Sequence, residues 1–91
     1  MPSIYPNDYR AVIAMLVKKR KKKHITQVQL ASGMRVPQSF ISKVERCERR
    51  LDFVELMRMC EIIGVPVTEL ISTIPPRHSP TLSGEDSKRS R

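Results

Sequence analysis

At 91 residues the chain has room for one small domain and a tail, and 40% hydrophobic content can fill only a thin core. No apolar run approaches the ~20 residues of a membrane span, and no basic-then-apolar leader opens the sequence. A cytoplasmic protein with no membrane partner is expected. There is no Trp, and the two Tyr and two Phe are too few for a surface that stacks successive single-stranded bases. Charge is more informative: seventeen Lys and Arg against nine Asp and Glu give +8. Residues 1–50 hold twelve basic and three acidic side chains, whereas 51–74 hold one basic and four acidic. A positive half joined to an acidic half is the pattern of a polyanion binder.

The chain divides into a lead-in (1–7), a dense body (8–74) and a tail (75–91). The tail, PPRHSPTLSGEDSKRSR, has too few apolar residues to offset its ordering entropy and is expected to be disordered. The body reads as five helices with short connectors and no strand. Asn7 or Asp8 is positioned to cap a first helix reaching about Lys22, with Tyr9, Ile13, Leu16 and Val17 on one face. Thr26-Gln27-Val28-Gln29 is a capping box, flanked by Ile25 and Leu30 as a hydrophobic staple. It starts a helix over 27–34. After Pro37 a helix is expected over 38–46. Asp52-Phe53-Val54-Glu55 repeats the capping box for a fourth helix, which Gly64 stops. Val67 to Ile71, after Pro66, forms the last.

The segment 38–46 carries the functional signal. At about 100° per residue, Gln38, Ser39, Ser42, Lys43 and Arg46 fall on one side, opposite Phe40, Ile41 and Val44. Gln can pair bidentately with adenine, Lys can donate to guanine, and Ser can serve a base or the backbone. Only three residues separate this helix from the one before it, which sets two short helices at a steep angle.

The run ITQVQLASGMRVPQSFISKVERCERRLDFVELMRMCEIIGVPVTELI resembles the helix-turn-helix domain of phage-repressor and Cro-like (XRE-type) transcriptional regulators. The resemblance covers about residues 8–74 and implies an all-α, five-helix, lambda-repressor-like fold with its helix-turn-helix at 27–46. It further implies that Gln38, Ser39, Ser42 and Lys43 face the major groove of double-stranded DNA. Gln27 would hold a phosphate, Phe40 would pack near the sugar-phosphate rim, and Ala31, Ile41 and Val44 would lock the two helices together. Arg46, Arg49 and Arg50 follow the reading helix and are candidate phosphate contacts. Two positions depart from the family pattern: Arg35 and Cys47 stand where glycine or asparagine, and glycine, are usual.

Arg20 lies seven residues after Ile13 and four after Leu16, on the inward stripe of the first helix. A guanidinium there requires a carboxylate, and Glu45 is the candidate. The rest of the Lys18–Lys23 run is expected to stay solvated and supply long-range attraction to DNA. Cys47 and Cys60 have no metal-ligand spacing, and His24 and His78 are far apart with no nucleophile arrangement around them. No enzyme, cofactor or metal is expected.

The resulting reading is a sequence-specific transcriptional regulator of the repressor kind, carried by a prophage or mobile element. Homodimerisation through Val67, Leu70, Ile71 and Ile74 is one expectation. The alternative is an antitoxin-like module whose tail binds a protein partner while its body binds its own promoter.

Overall fold

The computed structural model describes residues 6–74. The expected tail and most of the lead-in lie outside those residues. Five helices follow one another: α1 (Pro6–Lys22), α2 (Gln27–Met34), α3 (Gln38–Glu45), α4 (Phe53–Ile63) and α5 (Val67–Ile71). None is long and apolar enough to cross a membrane.

The helix starts are written locally. Thr26 accepts the Gln29 amide at 3.0 Å while the Gln29 side chain accepts the Thr26 amide at 2.9 Å. Asp52 and Glu55 do the same at 2.7 and 3.0 Å. Each box satisfies two amides that a helix start otherwise leaves without partners. The first helix departs from the expected start. It begins at Pro6, so Asn7 and Asp8 lie within the first turn rather than capping it. Proline suits that place because it has no amide to leave unsatisfied, and Asp8 sits at the positive end of the helix dipole. At the other end, α3 stops at Glu45 and Arg46 is its cap.

The first four helices end alike. Each is followed by one residue with positive φ: His24 (60°), Arg35 (61°), Cys47 (61°) and Gly64 (82°). The amide one residue further on then reaches back five residues: Ile25 to Arg20, Val36 to Ala31, Glu48 to Lys43, and Val65 to Cys60, at 2.8–3.1 Å. This Schellman closure satisfies the orphan carbonyls and turns the chain sharply. Three of the four left-handed positions are not glycine, and each costs on the order of 1 kcal/mol.

The core lies where the five helices meet. Ile13 and Leu16 of α1, Leu30 of α2, Ile41 and Val44 of α3, Met59 and Ile63 of α4, and Leu70 of α5 are all fully or almost fully buried. A buried aliphatic side chain contributes roughly 1.5–3 kcal/mol. Ala31 is 3% exposed, so α2 and α3 pack closely. Cys60 is buried and unbonded, and burial pushes its thiol above the usual range. Gly33 permits another close approach, because a Cβ there would meet the Ile62 side chain of α4 at 3.2 Å.

Two predictions follow from the helix ends. Arg35 is exposed and left-handed, so Arg35→Gly should raise stability by about 0.5–1 kcal/mol in denaturant melts; a lower midpoint would contradict the strain. The second concerns acid. Arg49 donates to Glu55 and, with the Asp52 amide, holds its carboxyl below the ordinary value of 4.5. A depressed carboxyl stabilises the fold above that value and loses its contribution as pH falls through the lower, folded-state pKa. Stability should therefore decline below about pH 4.5, and Glu55→Gln should make the decline shallower.

Candidate nucleic-acid interface

Among the described residues, one charged residue lies in the core. Arg20 is 6% exposed. Its Nε and Nη2 donate to the two carboxylate oxygens of Glu45, at 2.6 and 2.9 Å, and its Nη1 donates to the Ile25 carbonyl at 2.7 Å. The pair joins the last turn of α1 to the last turn of α3, with the α1–α2 turn as third partner. Glu45 takes one more bond, from Gln27 Nε2 at 2.9 Å. Gln27 Oε1 in turn accepts from Gln38 Nε2 at 3.1 Å.

This chain of bonds fixes the direction of two amides. A carboxylate only accepts, so Gln27 must turn its NH2 toward Glu45 and its oxygen toward Gln38. Gln38 must then spend one N–H on Gln27. What it has left is one N–H and one carbonyl oxygen, the donor–acceptor pair that matches the adenine edge in the major groove.

The remaining polar residues of α3 lie on the same outward side. Ser39 and Lys43 are exposed and Ser42 is half-buried. Ser42 Oγ accepts from Arg46 Nη1, while Arg46 Nε and Nη2 donate to the Glu48 carboxylate at 3.0 and 3.1 Å. The ion pair holds Glu48 below its usual range and Arg46 above its own. Beyond the turn, the Arg49 guanidinium lies 4.2 Å from the centre of the Phe40 ring and donates to both Glu55 oxygens, at 3.0 and 3.1 Å. Arg50 stacks over Tyr9 at 4.5 Å. The Tyr9 hydroxyl accepts the Leu51 amide at 3.1 Å, which ties this loop to α1. Between loop and helix lies an open cleft of about 580 Å³, lined by Tyr9, Arg10, Cys47, Arg49 and Arg50 among others.

A helix-turn-helix family model matches residues 16–70, the stretch from the middle of α1 to α5. An "XRE-family like protein from Pseudomonas syringae pv. tomato str. DC3000" has a similar solved structure. It is 41% identical, the match covers 78% of this chain and 87% of that one, and the TM-score is 0.73. This chain belongs to the XRE-type helix-turn-helix family. No curated protein matches the sequence. The family fold supports a DNA-binding transcriptional regulator.

In this XRE-type chain the structure groups Gln38, Ser39, Ser42, Lys43 and Arg46 on one outward face, with Gln27 beside it. Phe40 is half-buried beneath Arg49. The sequence reading missed the Gln27–Gln38 bond, the carboxylate partners of Arg46 and Arg49, and the place of Arg10 beside the loop arginines. Of the six-residue basic run, Arg20 is internal, Lys19 meets Glu69 at 3.3 Å, and Lys23 Nζ donates to the Gly64 carbonyl at 2.7 Å. Lys18, Lys21 and Lys22 are exposed. Among the described residues, no group of three or more His, Cys, Asp or Glu could hold a metal ion.

The Arg20 and Glu45 side chains are 8% and 9% exposed. Glu45→Gln should therefore cost about 3 kcal/mol, since breaking one side of a buried pair strands the other charge. Unchanged thermal and denaturant midpoints would show that Arg20 reaches water by another route.

Proposed function

We propose that this protein is a sequence-specific repressor that reads the major groove of double-stranded DNA with the outward face of α3. The observation that carries the reading is the Glu45–Gln27–Gln38 chain, which holds one side chain in a base-reading pose from a buried ion pair. Gln38 then selects adenine, and Ser39, Ser42 and Lys43 contact neighbouring base edges or the adjoining backbone. Gln27, Phe40, Arg46, Arg49 and Arg50 line the phosphate rim. A short helix covers few base pairs, so useful affinity calls for two copies on a palindrome with half-sites about 34 Å apart. Occupying such a site excludes other proteins from it, which supports repression.

A second copy has an apolar surface to meet. Leu70 is fully buried and Val67 half-buried, so only Ile71 and Ile74 of the four expected dimer residues are exposed. They border a groove of about 220 Å³ shared with Tyr9, Val12, Phe53 and Leu56. Phe53 is 69% exposed and Val54 65%. In this reading the two copies meet through this wider face, to which the last helix contributes Ile71 and the following turn Ile74.

Selection of bound duplexes from a random pool tests the reading. Gln38→Ala and Gln27→Ala should relax preference at the same base pair, by about 1–3 kcal/mol for the first and less for the second. Lys43→Ala should relax another position. Lys21→Ala should weaken every duplex alike. Equal, sequence-blind losses from all four would overturn the assignment.

A further inference from the structure

We propose that Glu48 is a built-in competitor for DNA phosphate at Arg46, limiting the sequence-blind part of the chain's affinity. The inference rests on the duplex-DNA reading above. Arg46 caps the C-terminus of α3, directly below the base-reading face. Its guanidinium is already engaged on both edges: Nε and Nη2 grip the Glu48 carboxylate, and Nη1 donates to Ser42 Oγ. A carboxylate and a phosphate present the same paired oxygens to that fork, so one displaces the other.

The backbone holds Glu48 in place for this contest. Its amide closes the turn on the Lys43 carbonyl at 2.8 Å, the bond made elsewhere by Ile25, Val36 and Val65. Those three residues are apolar and turn at least partly inward; only here does the position carry a charge, and it is exposed. Both partners of the pair are 55% exposed, so an incoming phosphate can reach the fork without unfolding the turn. The exchange leaves Ser42 in place: its Oγ accepts from Nη1, on the other side of the guanidinium, and its hydroxyl hydrogen remains to be donated to a base edge. Backbone capture and base reading thereby meet at one arginine.

The test measures binding of wild type, Glu48→Gln, Arg46→Ala and the double variant, by fluorescence anisotropy on a selected and a random-sequence duplex over a range of salt. All substitutions are on the surface, and thermal melts confirm folding. Glu61→Gln, which removes the same charge beside Arg58 on α4, serves as the control. Glu48→Gln should tighten binding to both duplexes about threefold, more than Glu61→Gln does. It should also steepen the salt dependence by close to one counterion. In the Arg46→Ala background that advantage should vanish. A gain no larger than the control's, a gain that survives loss of Arg46, or weaker binding would each overturn the proposal. Should wild type retain no duplex at all, the DNA reading itself fails. Elution of the same five proteins from heparin, a sequence-blind polyanion, then decides whether Glu48 withholds Arg46 from anions.

Discussion

A buried ion pair between the ends of α1 and α3 orders the outward face of α3. Arg20 and Glu45 have left water at considerable cost, and the cost is offset only because the guanidinium donates three hydrogen bonds and the carboxylate accepts three. Arg20 spends bonds on both carboxylate oxygens and on the Ile25 carbonyl; Glu45 also receives Gln27. An apolar pair of similar volume could hold the helices together equally well. It could not fix which way Gln27 points, and hence which atoms Gln38 shows to solvent. The charge is best understood as a device for orientation, with stability as a secondary effect.

The turns serve the same end. Four Schellman closures redirect the chain within a few residues, three of them through side chains that resist the required backbone. Strain at Arg35 sits between α2 and α3, and strain at Cys47 sits between α3 and the arginine loop. These are the two junctions that determine how α3 projects. The usual small residue at either site would ease the backbone. At Cys47 it would also remove a half-buried side chain that packs against the core.

What could be read beforehand was what is decided locally. Thr26 and Asp52 announce helix starts because a capping box is complete within four residues. Arg20 was legible because helical period alone places it on the stripe of Ile13 and Leu16. Helix 27–34 and helix 67–71 needed nothing beyond their own signals. Pro6 was not legible as a helix start, since the polar Asn7 and Asp8 after it imitate a cap. Met59 and Leu70 are buried by packing among three or four helices, a matter of tertiary phase that one short segment does not encode. The partners of Arg46 and Arg49 escaped for a related reason. Their carboxylates are near in sequence, but only the left-handed turn at Cys47 brings Glu48 back onto Arg46, and only docking of α4 brings Glu55 onto Arg49.

The central claim is that α3, held by the Arg20–Glu45 pair, is the surface that meets duplex DNA. Amide chemical-shift mapping of the labelled protein against its selected duplex tests it most directly. The account predicts the largest changes over Gln38 to Arg46 and at the start of α2, with the amides around Arg58 and Glu61 on α4 hardly moved. Largest changes along α4 and α5, with α3 undisturbed, would contradict it.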